Sequence, residues 1–158
     1  RANAVPAITD STGMTSSRAA GALVVALCAP WLPAPVAHAD AFGQLGAVPV
    51  VASPTCGGTV SADAQATPVQ IGADVGHGVG VSIRYDAGIY DGSCALTVTA
   101  KWRNLDTGAF GQGDISAVST IDGHYGFIGY ANRNFATGSG TVVVTLSSHP
   151  GEEMRITA

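Results

Sequence analysis

Residues 94–102 constrain the fold more than any other part of this chain. In the run Cys-Ala-Leu-Thr-Val-Thr-Ala-Lys-Trp, apolar side chains occupy every second position, and mainly polar or small ones stand between them. Successive side chains of an extended backbone point to opposite faces, so this period of two predicts a strand with one face in a core and the other in water. We interpret it as the central strand of a small β-domain.

A second segment, residues 79–85, shows the same alternation between Val, Ile or Tyr and small or polar residues. Gly88 and the pair Asp91-Gly92 lie between it and residues 94–102. This arrangement predicts an antiparallel hairpin of the two strands with a loop of medium length. Residues 72–80, which are rich in Gly, are predicted to form a loop.

The pair Asp122-Gly123 separates two further β-like runs, residues 115–121 and 124–130. Asp-Gly favours a two-residue hairpin turn because both turn positions need positive φ. Both faces of this hairpin are partly apolar, so it is either covered on both sides or exposes an aromatic patch. The larger side chains Trp102, Tyr125 and Phe127 are expected to anchor the core.

The number and spacing of such segments predict an all-β fold. Seven to nine short strands favour an antiparallel β-sandwich of immunoglobulin-like architecture, with a small barrel as the alternative. Pro49 predicts an edge strand, because proline has no amide hydrogen to donate to the ladder of a central strand. The composition agrees: charged residues make up 11% of the chain, against about 25% in average soluble proteins.

Residues 1–39 are predicted to be an upstream extension and a secretory signal peptide. A short positive segment runs from Met14 to Arg18, an apolar segment of residues 19–29 forms the signal helix, and Ala37-His38-Ala39 supplies an A-x-A cleavage site. Pro30, Pro33 and Pro35 follow and end the apolar segment, which is too short for the roughly 20 residues of a membrane span. Residues 40–158 are then one exported β-domain with no membrane span after cleavage, either secreted or in the cell envelope. The single Lys against six Arg suggests a GC-rich bacterial source.

Cys56 and Cys94 are the two cysteines that remain after cleavage. In an oxidising compartment such a pair is expected to form a disulfide. The alternative is a reactive or metal-binding thiol pair, but there is no CxxC spacing and no histidine near either cysteine.

Motifs for catalysis, cofactors and metals are absent from the sequence. The formal charge of −4 and the lack of a basic run argue against a nucleic-acid partner. No G-x-S-x-G, HExxH or EF-hand spacing occurs, so no catalytic residue, cofactor or metal ligand is predicted. One alternative is a secreted hydrolase whose site is assembled from loop Asp and His residues. His77, His124 and His149 could also converge with Asp74 or Asp122 on a zinc or copper ion, although each histidine lies at a loop or turn, where a solvated side chain is the simpler interpretation. Another is a carrier of a small apolar ligand.

The best candidate for a binding surface is the set Tyr130, Asn132, Arg133, Asn134 and Phe135. Aromatic, amide and guanidinium groups together suit a carbohydrate or a protein partner. The competing interpretation has the aromatic rings packed in the core and the Asn and Arg side chains solvated. The leading hypothesis is a small non-enzymatic binding or interaction module of the cell envelope or the extracellular space.

Export predicts a defined N-terminus. Edman sequencing of protein recovered from outside the cell should begin at Asp40, because cleavage follows Ala39. A mature chain that begins elsewhere would contradict this boundary.

Overall fold

Nine β-strands make up the part of the chain that the computed structural model describes, residues 40–89, 92–122 and 125–158. These residues belong to one compact unit, and the predicted signal peptide, residues 1–39, lies outside them. The strands are β1 (Phe42–Ser53), β2 (Cys56–Ile71), β3 (Asp74–Ala87), β4 (Gly92–Asn104), β5 (Phe110–Asp122), β6 (Tyr125–Phe127), β7 (Gly129–Phe135), β8 (Thr141–Leu146) and β9 (Met154–Thr157).

The strands form two antiparallel sheets, which confirms the predicted β-sandwich. One sheet has the order β1-β2-β3-β7, and the other has the order β6-β5-β4-β8-β9. Alternate residues of β4, β5 and β9 are buried, as period two requires. The interior is lined mainly by Val and Ala, with Tyr85 as a fully buried aromatic residue. As predicted, β4 lies at the centre of its sheet.

The predicted hairpin between residues 79–85 and 94–102 is wrong. Strand β3 pairs with β2 and β7 in the first sheet, whereas β4 pairs with β5 and β8 in the second. Both strands bury one face, so they can pack across the core from opposite sheets as readily as side by side. Alternation specifies the face that a strand buries but leaves its hydrogen-bonded partner open.

The predicted loop at residues 72–80 is also wrong, because β2 and β3 pair without interruption from Gly58–Ala87 to Ile71–Asp74. Gly72, with φ of 64°, lies in the tight turn that joins them. Gly78 is a strand residue whose missing side chain leaves room for Val69 and for the Phe135 carbonyl. Glycine here marks close approach of a neighbour rather than a loop.

The hairpin of β5 and β6 differs from its prediction by one residue. Asp122 pairs with Tyr125, so the residues between the strands are Gly123 and His124, which lie outside the described ranges. Phe127 is 65% exposed and does not anchor the core. Trp102 is half-buried against the core, and Tyr85 takes the central place.

The chain changes sheets after Phe127, and this joins the sheets along one edge. Gly129, the first residue of β7, lies so close to β5 that a Cβ there would be 2.7 Å from the Val118 carbonyl oxygen. The buried Ser119 hydroxyl accepts from the Ala87 amide at 3.2 Å and donates to the Phe127 carbonyl at 3.1 Å. One side chain therefore connects β3, β5 and β6.

Buried His149 and the chain before β1 join the sheets at the opposite edge. Asp40 forms a parallel bridge with Ile156, and its carbonyl accepts from the Thr157 amide at 2.9 Å. His149 Nε2 lies 2.8 Å from the Gly46 carbonyl, to which it must donate, and Nδ1 then accepts from the Ser148 hydroxyl at 2.9 Å. The sandwich thus has barrel-like connections at both lateral edges.

Two prolines lie where a sheet edge has no neighbour. β1 is an edge strand, as Pro49 predicted. In β2, the Ala66 amide donates to the Ala41 carbonyl, and Pro68 is the next residue on that side because strand residues alternate. Pro68 lies beyond the last β1 pair, Phe42–Gln65, so its missing amide costs no ladder bond.

Buried Asn104 orders one end of the sandwich. Its Nδ2 donates to the carbonyls of Thr137 and Ser139 at 2.9 and 3.0 Å. Its Oδ1 accepts from the amides of Asp106 and Thr107 at 3.0 and 3.1 Å. The loop after β4 and the loop before β8 are thereby fixed to the same side chain.

The predicted disulfide is confirmed: Cys56 and Cys94 are bonded, with their Cα atoms 5.6 Å apart. Cys56 begins β2 and Cys94 lies in β4, so the bond connects the two sheets.

Loss of the bond should lower the free energy of unfolding by roughly 4 kcal/mol, because it restores the entropy of a 38-position loop to the unfolded chain. Denaturant titrations of the protein and of Cys56→Ser/Cys94→Ser measure this, and equal midpoints would contradict it.

Burial raises the pKa of Tyr85, which makes stability fall at high pH. In the folded state burial keeps the phenol neutral to a higher pH than in the unfolded state, where it ionises near its ordinary pKa of about 10. The stabilising contribution is complete below that value and is lost as the pH rises above it. Tyr85→Phe should lose up to about 1 kcal/mol at neutral pH, since it removes a long bond of 3.4 Å to the Cys56 carbonyl.

Urea titrations at pH 8 and about pH 11 test this expectation. The decrease in unfolding free energy between the two should be smaller for Tyr85→Phe than for the unaltered protein. Tyr130→Phe, which alters an exposed ring, is the matched control. Tyr130→Phe should leave the decrease unchanged. If Tyr85→Phe also leaves it unchanged, ionisation of Tyr85 is not the source of the decrease.

Candidate binding surface

The five residues predicted as one binding surface lie on the two opposite faces of β7. Tyr130, Asn132 and Asn134 point to the outer face of the four-stranded sheet. Arg133 and Phe135 pair with Val81 and Val79, whose side chains belong to the core, so they share the inner face. The five predicted residues therefore lie on opposite faces, the even-numbered ones outside and the odd-numbered ones inside.

Phe135 and Arg133 have structural contacts. Phe135 is 7% exposed and belongs to the core, so it is not available to a partner, contrary to the prediction. Arg133 Nη1 donates to the Asp114 carbonyl at 3.0 Å, and its guanidinium carbon lies 5.7 Å from the centre of the Phe135 ring. Arg133 thus connects β7 to β5 at the edge where the chain changes sheets.

Tyr130 is held across the outer face of the sheet. Its ring is 60% exposed, yet its hydroxyl donates to Ser82 Oγ at 3.1 Å. Ser82 lies two positions along β3 from Arg84, the residue that pairs with Tyr130. The side chain must therefore lean diagonally over β3, which leaves the ring accessible and restrains its rotation.

Small residues on β3 make this arrangement possible. Gly80 has no side chain, and a Cβ there would lie 2.9 Å from Asn134 Oδ1 and 3.4 Å from Thr67 Cγ2. Ser82 is 6% exposed because its neighbours cover it. Side chains from the flanking strands can therefore lie over β3, and the outer surface is depressed along the middle of the sheet.

On the same outer face as Arg84, the cross-strand neighbour of Tyr130, five residues form a surface that we name the amide face: Asp63, Gln65, Tyr130, Asn132 and Asn134. The register places them in two rows, since Asp63 pairs with Ser82 and Ser82 with Asn132, while Gln65 pairs with Gly80 and Gly80 with Asn134. Apart from Tyr130, none of these side chains hydrogen-bonds to another described residue.

The outer face of the five-stranded sheet differs in this respect. Thr97 and Ser116 hydroxyls lie 2.8 Å apart, and the Thr99 hydroxyl donates to Asp114 at 2.7 Å. These cross-strand pairs use four polar groups of that face on one another. The amide face instead keeps amide and carboxylate groups available on rigid strands.

The histidines that were considered for a hydrolytic or metal site have separate surroundings. His77 lies in the outer part of the β2–β3 hairpin, where its carbonyl accepts from the Gly138 amide, and His149 is bonded at the opposite edge. His124 lies outside the described ranges. Within those ranges, no three of His, Cys, Asp and Glu could hold a metal ion together.

Three surface depressions bear on the carrier alternative, and all of them open to solvent. One, of about 330 Å³, lies at the base of the outer β2–β3 hairpin and is lined by Pro68, Val75 and His77. Two more, of about 330 and 240 Å³, lie side by side on the five-stranded sheet. An enclosed apolar chamber, which a carrier needs, is not among them.

Comparison of the chain with protein-family models, with curated proteins and with solved structures finds no match in any of the three. The described residues contain no helix with the length and apolar character needed to cross a membrane.

Reasoning from sequence missed the contributions of β2 and β3 to the amide face. Asp63 and Gln65 are 65 or more positions from Tyr130 in the chain, so only strand order brings them together. One signal was present: Gly78, Gly80 and Ser82 place three small residues on a single face of a strand. That pattern indicates a low strip over which neighbouring side chains can lie.

Proposed function

We propose that this protein is an exported, non-enzymatic binding module of the bacterial cell envelope or the extracellular space, and that it binds carbohydrate through the amide face. The observation that carries the proposal is the tethered Tyr130 ring beside four polar side chains that have no hydrogen-bond partner within the described residues. All five residues lie on paired strands, which keep their spacing fixed.

Export is supported by two independent features. The Cys56–Cys94 disulfide persists in oxidising compartments and is rare in the cytosol. Residues 1–39 carry the charged, apolar and A-x-A segments of a secretory signal.

Carbohydrate suits the chemistry of the amide face better than a protein partner does. Sugar hydroxyls both donate and accept, and the face offers amides that do both and a carboxylate that accepts. The exposed Tyr130 ring supplies an apolar surface for stacking. Protein interfaces instead have cores depleted of charge and enriched in aromatic residues, whereas this face has one aromatic ring among polar groups.

The bond between Tyr130 and Ser82 prepares the face for binding. A side chain that is already restrained loses less rotamer freedom when a ligand immobilises it. Tyr130→Phe keeps the ring but removes the tether, whereas Tyr130→Ala removes both. We therefore expect a small loss of affinity for the first substitution and a large one for the second.

Affinity electrophoresis of the purified protein in gels that contain neutral polysaccharides tests the proposal, with sedimentation on isolated cell-wall material as a second assay. Asn132→Ala/Asn134→Ala should weaken binding about tenfold, since each lost hydrogen bond contributes roughly 0.5–1.5 kcal/mol. Thr97→Ala, on the opposite face, is the control and should bind normally. Unchanged binding by a folded Asn132→Ala/Asn134→Ala variant would refute the assignment of the face.

A further inference from the structure

Phe110 is a large apolar side chain that the core does not use. It begins β5, it is 80% exposed, and it pairs directly with Arg103 of β4. Both side chains point to the outer face of the five-stranded sheet, away from the amide face. A single exposed phenyl ring needs no explanation by itself, but the neighbours of Phe110 give it a specific setting.

The strand register continues from Phe110 into a basic patch. Arg103 pairs with Val143, which pairs with Arg155, and Lys101 lies on the same face two positions before Arg103. Strand geometry puts the Cα atoms of Lys101 and Arg103 about 7 Å apart, and those of Arg103 and Arg155 about 10 Å apart. Val143 is 9% exposed although it points outward, which fits a position between two long arginine side chains.

Charge in the described residues is unevenly distributed. Nine Asp and Glu residues stand against five Lys and Arg, and three of those five basic residues lie in this patch. Arg155 is paired with Glu153 at 2.7 Å. Lys101 and Arg103 have no ion pair or hydrogen bond among the described residues, and Asp114, the acid nearest to them along β5, accepts from Thr99.

A trough adjoins these two cations. The depressions of about 330 and 240 Å³ share Lys101 and Thr145 in their linings. The first is also lined by Thr99 and Ser147, and the second by Arg103 and by Glu153, the partner of Arg155. The Thr145 hydroxyl of β8 therefore lies beside the two cations, while Phe110 lies on the other side of Arg103.

We name the surface formed by Lys101, Arg103, Phe110 and Thr145 the basic trough. We propose that it is a second binding site and that its ligand is an acidic polysaccharide. Arg103 and Lys101 hold an anionic group through charge-assisted hydrogen bonds. The apolar side of a sugar ring packs on Phe110, and the Thr145 hydroxyl binds the next sugar. The basic trough and the amide face lie on opposite sheets, so both can be occupied at once.

Affinity electrophoresis of the purified protein in polygalacturonate, in dextran sulfate and in neutral dextran tests the proposal. The protein should be retarded by at least one acidic polymer, and less so at high salt. Retardation by polygalacturonate assigns the anion as a carboxylate, and retardation by dextran sulfate alone assigns it as a sulfate or phosphate type. Either result supports the site, whereas no retardation by either acidic polymer would overturn it.

Phe110→Ala gives the decisive comparison because it leaves the net charge unchanged. It should weaken binding to the acidic polymer at least fivefold, and Lys101→Gln/Arg103→Gln should abolish that binding. Phe127→Ala, which removes another exposed phenyl ring from the same sheet, should bind normally. If folded Phe110→Ala binds the acidic polymer as well as the unaltered protein and folded Phe127→Ala do, the binding is non-specific charge attraction and the proposal fails.

The outcome does not depend on the amide face. Asn132→Ala/Asn134→Ala should keep its affinity for the acidic polymer, and Phe110→Ala should keep any affinity for neutral dextran. Failure of one site is therefore distinguishable from failure of the other.

Discussion

The contact between the inner faces of the two sheets is the interaction on which the rest of the structure depends. Most side chains in that contact are Val and Ala, with Tyr85 as the large central residue. Single residues add connections between the sheets around this contact. Ser119, His149 and the Cys56–Cys94 bond each make such a connection.

The sequence indicated which face of a strand is buried, but it did not indicate which strands pair with each other. Period two identified β4 and the buried side of β3, and the disulfide followed from the number of cysteines. The pairing of β3 with β4 was wrong because hydrogen-bond partners are chosen by the whole sheet, a non-local property. The long β2–β3 hairpin was missed because Gly78 and Gly80 look like loop residues until the chains that pack over them are known.

The same distinction explains why the five predicted surface residues do not share one face. Residues 130–135 are adjacent in sequence, but a strand sends alternate side chains to opposite sides, so Phe135 and Arg133 could not share a surface with Tyr130. The partners that complete the amide face, Asp63 and Gln65, come from a distant strand. Phe110 and Arg103 likewise meet only through the β4–β5 register.

Closure of the lateral edges has a consequence for how this protein behaves at high protein concentration. An open sheet edge offers unpaired amides and carbonyls to any passing chain and invites aggregation. Here one edge is occupied by the strand that changes sheets, and Pro49 and Pro68 remove amides from stretches that lack a neighbour. The two outer faces can therefore stay exposed for binding, while intermolecular strand pairing, the first step toward fibrils, has few unpaired edge groups from which to begin.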